Sequence, residues 1–446
     1  MKTLIHENKQ TLKLAFPIIS SHVGQMLLGL SDTLMIGRVG TVELAAAAFM
    51  NILMHLTMVL GIGLSVAVSV QVSHAHGSNL PKNAAEALRH ALAWSLVIGL
   101  TVCLTMILGF PLMHHLGQPP EVMRVLPGYL KWVAGSLTFM MPVMVMKSFA
   151  ESKNHPWPVF WIQLAGVLLN IVLNAFLIFG LAGFPALGIT GAGLATFLAR
   201  LATLIAMAIY LRRSITLADS IPKIWVERLR LHDLRELFRL SAPITAQLLM
   251  EFGAFAACAL MIGRLGPQPM AAHQIALTCA SITFMLPMGL SGALGIRVGH
   301  ALGAGQVERC QTQILGAQFL TVITMLGFAV IYLTFGREIA RAFTPDPELI
   351  RLTVSLLTIA GIFQLFDGIQ VVSIGALRAM KDITVPTLLG AVGYWIIGFP
   401  TGIFLGKHME MGVTGFWIGL GIGLGTAAFT MSIRLFLQLR HHQTKV

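Results

Sequence analysis

The stretch LLMEFGAFAACALMIGRLG, Leu248 to Gly266, decides the architecture. From Leu237 to Ile262 the only charges are Arg239, at the inner end, and Glu251. A charge in the middle of a membrane helix costs at least a few kcal/mol, so a glutamate kept there calls for a reason. The composition agrees with a membrane setting: 56% of residues are hydrophobic, 11% are charged, and the mean hydropathy is +0.80. A soluble domain carries about 25% charged residues. This is a polytopic membrane protein.

Apolar runs of at least about 18 residues number twelve. They fall near 14–36, 47–72, 90–110, 125–146, 158–180 and 186–211, then 237–262, 271–296, 312–335, 350–377, 384–406 and 411–437. The long polar break from Arg212 to Arg239 divides them six and six. The expected layout is an N-terminal lobe over 1–211, a cytoplasmic linker over 212–236 and a C-terminal lobe over 237–446. With the N-terminus inside, 21 Lys and Arg fall on inner segments and 8 on outer loops, which by the positive-inside rule places both termini in the cytoplasm. The net charge of +12 is then topology and contact with anionic lipid. No basic soluble face is present to bind nucleic acid. The first sixteen residues carry lysines but no A-x-A-like cleavage site, so the first span is expected to stay as a helix. The four cysteines show no disulfide or zinc spacing.

LMIGRLG at Leu260–Gly266 has a twin, LMIGRVG at Leu34–Gly40. Shifting the chain by 226 residues aligns Leu14–Gly77 on Leu240–Gly303 without a gap, with 21 of 64 pairs identical. Pro17-Ile18 meets Pro243-Ile244, Gly63 meets Gly289, and His74 meets His300. LGITG at Leu187 also resembles MGVTG at Met411. Six helices per half keep both halves in one orientation. The expectation is a parallel repeat about an axis along the membrane normal, V-shaped, with a central cleft where transporters place substrate.

These segments resemble the MATE (multidrug and toxic compound extrusion) transporters of the MOP superfamily, and the second half is most similar to the NorM branch. The residues that carry the resemblance are DTLMIGRVG from Asp32, AAHQIAL from Ala271, IRVGHALG from Ile296, ALRAMKD ending at Asp382, and YWIIGFPTG from Tyr394. The resemblance implies efflux of organic, mostly cationic compounds in exchange for Na⁺ or H⁺, by alternating access between two lobes. It also implies a bacterial-type cytoplasmic (inner) membrane as location, with no cofactor beyond the coupling ion. A monomer is expected.

Glu251 lies 14 positions past Leu237, about 21 Å into a helix of about 39 Å, and Asp367 lies at a similar depth on a helix running the other way. Two carboxylates at one depth suggest a cation site or a shared proton, because hard cations take oxygen ligands and paired carboxylates perturb each other. The plainer alternative is a buried structural pair with a basic partner. In NorM-like relatives the matching acids serve cation coupling, so Glu251 and Asp367 are the expected coupling and Na⁺-ligating residues. The tyrosine expected one turn before the aspartate is Phe363 here, which leaves the ligand set one oxygen short.

Asp32 sits nearer the outer leaflet, and capping a loop or pairing with Arg38 would explain it equally well; the family links the matching aspartate to substrate or proton binding. Asn170 and Asn174 share one helix face. They could bind a ligand or bond to a neighbouring helix, and Asn174 replaces an aspartate found in DinF-type relatives. Gln25 stands opposite Glu251 in the repeat. With Gln274 of the AAHQIAL motif these complete the expected substrate-binding set: Asp32, Gln25, Asn170, Asn174 and Gln274.

Other features read as structure. Gly415, Gly419 and Gly423 form a small-xxx-small face for close helix approach. Pro17, Pro243, Pro287 and Pro386 are kinks or helix starts. Arg297 and Arg378 are expected to snorkel at inner helix ends, and His74, His76, His114 and His115 to lie in loops. No HExxH, G-x-S-x-G or P-loop motif occurs, so an enzyme is not expected. No loop exceeds about 28 residues, too short for a nucleotide-binding domain. The alternatives kept are a lipid-linked oligosaccharide flippase of the same superfamily, whose cavity should be cationic, and an intramembrane lipid enzyme.

Overall fold

The computed structural model describes residues 2–116, 118–222 and 230–443; Lys223 and Arg228 of the 212–236 segment lie outside them. Twelve helices are long and apolar enough to cross a membrane, and no strand occurs among the described residues. They are α1 (Lys2–Gly37), α2 (Thr41–Gly77), α3 (Pro81–Leu108), α4 (Pro120–Ser152), α5 (Pro156–Phe179) and α6 (Gly188–Arg213). The second set is α7 (Leu231–Gly263), α8 (Pro267–Gly303), α9 (Val307–Phe343), α10 (Pro347–Ala379), α11 (Thr384–His408) and α12 (Gly412–Gln443).

Proline opens α3, α4, α5, α8 and α10, where its fixed φ suits the first turn and its missing N–H has no partner to lose. Asp346 caps α10 by accepting from the Glu348 amide at 3.0 Å. Gly180, at φ 71°, ends α5 in the left-handed conformation that a side chain resists.

The chain divides into two compact units, Ser20–Thr245 and Met1–Ile19 with Ala246–Val446, called here the first and second unit. The boundaries therefore fall inside α1 and α7, not in the 212–236 segment where the sequence changes character. Hydropathy marks where the chain leaves the membrane, whereas compactness follows which helices pack. The first unit has a core of Ile36, Met50, Leu126 and Leu137 among others. The second buries Leu356, Phe416 and Trp417 in one cluster and Leu294, Leu377 and Met431 in another.

Within the second unit the glycine face of α12 does what its spacing predicts. A Cβ on Gly419 would lie 2.3 Å from Gly402 Cα, one on Gly423 2.8 Å from the Gly393 carbonyl oxygen, and one on Gly415 2.5 Å from Gly406 N. The two backbones touch because no side chain intervenes. Along this contact α11 is not a regular α-helix: Val392–Gly398 and Phe404–His408 are π-helical turns. Such turns are rare and gather at functional sites.

Candidate functional site

The first π turn places Tyr394 in the interior, 2% exposed. Gln370 of α10 donates its Nε2 hydrogen to the Tyr394 hydroxyl. Asp367, three residues earlier on α10, is also buried. Glu251, on α7, lies within electrostatic reach of Asp367, Tyr394 and Arg378. The two acids that share a depth in the sequence thus share a site in the fold.

The site also holds what the sequence did not supply. Arg378 does not snorkel: its Nη2 donates to Gln247 Oε1 at 3.1 Å, and its charge acts on Glu251. Gln247 precedes Glu251 by four residues, so both occupy one face of α7. Three polar atoms here are buried without a hydrogen-bond partner: Gln247 Nε2, Gln370 Oε1 and Arg378 Nε. Buried polar atoms are rarely left so, and an acceptor and two donors beside two carboxylates make a polar site able to receive a guest. Phe363, where a tyrosine was expected, packs on Trp417 with ring centroids 5.4 Å apart. The phenol in this cluster belongs to Tyr394 instead. Its signal was available: it is one of only four tyrosines in the chain, and it stands between glycines inside a span.

The site residues fit a coupling ion only in part. The carboxylates, Tyr394 and Gln370 Oε1 offer oxygens, but no group of three His, Cys, Asp or Glu side chains gathers among the described residues. Arg378 already brings a positive charge to Glu251.

The first unit carries a second polar chain. Asn174 Nδ2 donates to Asp32 Oδ1 at 2.5 Å and to Asn170 Oδ1 at 2.9 Å. Asn170 Nδ2 reaches Thr196 Oγ1 at 3.4 Å, and Thr196 donates to the Ala192 carbonyl. Arg38, offered as a partner for Asp32, is exposed; the cation near Asp32 is Arg200, which donates to Ser136 Oγ at 2.7 Å, with Tyr129 also in electrostatic reach. Asn174 Oδ1 is buried without a partner. Asp32, Asn170 and Asn174 are thus brought together. Gln25 is half-buried on α1 and Gln274 is exposed on α8, and neither joins the two networks described.

Two further expectations change. Arg297 is 8% exposed and turns inward to Glu7 and Thr11 on α1, which offer acceptors to its guanidinium. His74 and His76 lie in the last turn of α2, not in a loop, and His76 Nδ1 is 2.9 Å from Lys153 Nζ.

Twelve membrane helices in two similar halves, each burying a separate set of ionisable side chains, define a polytopic membrane protein of the transporter class. A profile of the MatE family matches residues 17–176 and 243–404, once in each half, and the chain belongs to that family. It is 35% identical over 422 residues to "Probable multidrug resistance protein NorM" of Rhodopseudomonas palustris, covering 93% of this chain and 88% of that protein. It is 32% identical over 441 residues to the Bradyrhizobium diazoefficiens protein of the same name, covering 98% and 95%. The crystal structure of the Vibrio cholerae MATE transporter VcmN in the bent form superposes with a TM-score of 0.90 at 20% identity, covering 100% of this chain and 99% of that one.

Proposed function

We propose that this MatE-family chain is a multidrug efflux transporter that exports organic, mostly cationic compounds in exchange for H⁺ or Na⁺ by alternating access. The names of its relatives support the efflux. The observation that carries the coupling is that Glu251, half-buried, lies within electrostatic reach of the buried Asp367. Two acids in low dielectric exchange a cation readily, since binding one relieves their mutual repulsion. Phe363, which offers no ligating oxygen where one was expected, favours the proton over Na⁺. Asp32, Asn170 and Asn174 form the substrate-contacting face of the first unit, with Gln25 and Gln274 as outlying members. The protein works as a monomer in the cytoplasmic membrane with both termini inside, and needs no cofactor besides the ion.

A flippase for diphosphate-linked sugars would need a site dominated by cations, whereas Arg378 stands near two acids, Glu251 and Asp367, and Arg200 near one, Asp32. The test is ethidium efflux from proteoliposomes with pH and Na⁺ gradients imposed separately. Efflux driven by neither gradient sinks the antiport reading.

A further inference from the structure

The repeat governs how the ends of two helices are shared. The units divide between Ile19 and Ser20 in α1 and between Thr245 and Ala246 in α7. These are one position in the repeat, 226 residues apart, each two residues past its matched proline, Pro17 or Pro243. The inner segment of α1 belongs to the second unit and the inner segment of α7 to the first.

Their contacts match as well. A Cβ on Gly289 of α8 would lie 2.2 Å from Ile19 Cγ1, and one on Gly63 of α2 would lie 2.0 Å from Thr245 Oγ1. Gly63 and Gly289 are repeat partners, and so are Ile19 and Thr245. A side chain at either glycine would displace its partner's side chain.

Nearer the inner end a polar fastening takes over. Glu7 of α1 is 5% exposed. Arg297 Nη1 of α8 donates to the Glu7 carbonyl at 2.6 Å, and its guanidinium also reaches the Glu7 carboxylate and the Thr11 hydroxyl. From α9, Arg309 Nε donates to Glu7 Oε1 at 2.9 Å and Gln313 Nε2 to Oε2 at 3.3 Å. The residue 226 positions on is again an acid, Asp233 of α7, with Oδ2 3.5 Å from His90 Nε2 of α3. That His90 nitrogen accepts from the Arg230 amide at 3.1 Å and Nδ1 donates to the Glu86 carbonyl at 2.8 Å, so among the described residues no equivalent of the Glu7 ion cluster forms on α7.

Between the Glu7 cradle and Ile19, Leu14, Ala15 and Ile18 of α1 are buried in an apolar cluster with Leu290, Ala293 and Leu294 of α8. An apolar crevice of about 290 Å³ is lined by Leu12, Phe16 and Ile19 of α1 and by Leu286, Leu290 and Leu320 of α8 and α9. Apolar packing gives membrane helices little drive to associate, so the Glu7 ion cluster is the polar hold on the inner segment of α1.

We propose that Glu7, with Arg297 and Arg309, is a releasable latch on the inner segment of α1, and that freeing this segment from α8 and α9 is a required step of the transport cycle. The proposal rests on the transport reading above. Past Ser20 the same helix carries Gln25 and Asp32 in the first unit, so a helix fastened at Glu7 restrains the substrate-contacting residues further along it. Pro17, lacking an N–H, softens the helix between the two.

Two experiments on the full-length protein decide it. In a Cys310→Ala background, the pair Asn8→Cys and Gly316→Cys is oxidised; a Cβ on Gly316 would lie 3.1 Å from Asn8 Cγ, close enough to bridge. In proteoliposomes the oxidised protein is expected to transport ethidium at least about tenfold more slowly than the reduced protein, with the rate restored by reductant. Oxidised protein that transports at the reduced rate overturns the latch. Second, Glu7→Gln is expected to speed amide hydrogen exchange of residues 2–19 at least about tenfold while that of 267–303 stays unchanged. Unchanged exchange over 2–19, or equal loosening of both segments, overturns it. The exchange readout needs no transport, so a wild-type protein without gradient-driven efflux would sink the transport reading and leave the latch to be judged separately.

Discussion

Asn174 Nδ2 donates to Asp32 Oδ1 across 2.5 Å, joining α5 to α1 over 142 residues of sequence. The amide does for Asp32 what a water shell does outside the membrane. It holds the carboxylate in place without neutralising it, and Arg200 supplies the counter-charge. Replacing the donor separates these effects. Asn174→Leu should leave Asp32 unheld and weaken substrate affinity several-fold, with the dependence on the coupling ion unchanged. Equilibrium binding of a fluorescent cation before and after the change checks it. Asn174→Asp sets two carboxylates in one site, where they share a proton, so transport should gain a second titration step in its pH profile.

Arg378 touches Gln247 and acts on Glu251. Removing its charge without its length, as in Arg378→Gln, should tighten binding of the coupling cation several-fold, because a fixed positive competitor is gone. The concentration of ion giving half-maximal efflux should fall. A rise would show that Arg378 organises the site and does not compete for it.

The glycine contact between α11 and α12 makes a stability prediction. Gly419→Val puts side-chain carbons where Gly402 Cα and the Gly398 carbonyl already lie, at 2.3 and 2.8 Å from an added Cβ. Overpacking of this kind costs about 1–3 kcal/mol, and the π turn that buries Tyr394 stands on the same contact. The melting temperature should fall and transport with it. Gly327→Ala, with open space around it, should change neither.

Topology has its own test. Thr216 is exposed in the segment after α6. A cysteine placed there should react with an impermeant thiol reagent from the cytoplasmic face only; labelling from outside would reverse the orientation assigned by the lysine and arginine balance.

The helices and their pairing in the repeat were legible because membrane spans announce themselves by length and hydropathy. The glycine face of α12 was legible because its spacing is helical. Glu251 and Asp367 could be paired from depth alone, since 1.5 Å per residue converts position into height. What depth cannot give is rotation about the helix axis. Arg297 and Arg378 sit at helix ends and so looked like snorkelling side chains, yet both turn inward to acceptors on other helices. Tyr394 could be singled out as a rare tyrosine inside a span but not assigned to a face: the π turn shifts the helical register, so a face counted at 3.6 residues per turn misplaces it. The unit boundaries inside α1 and α7 follow from packing between segments far apart in sequence, which polarity along the chain does not record.

The central claim is that Glu251 and Asp367 couple an incoming cation to efflux. Glu251→Gln keeps the size and one oxygen of the side chain and removes only its charge. The deciding measurement is ethidium efflux from proteoliposomes containing this variant under a fixed inward pH or Na⁺ gradient, alongside wild type at matched protein content and melting temperature. The account predicts that gradient-driven efflux falls to the background of empty vesicles while the protein stays folded and still binds ethidium. Efflux at the wild-type rate with unchanged cation dependence would contradict it and leave Glu251 a structural residue.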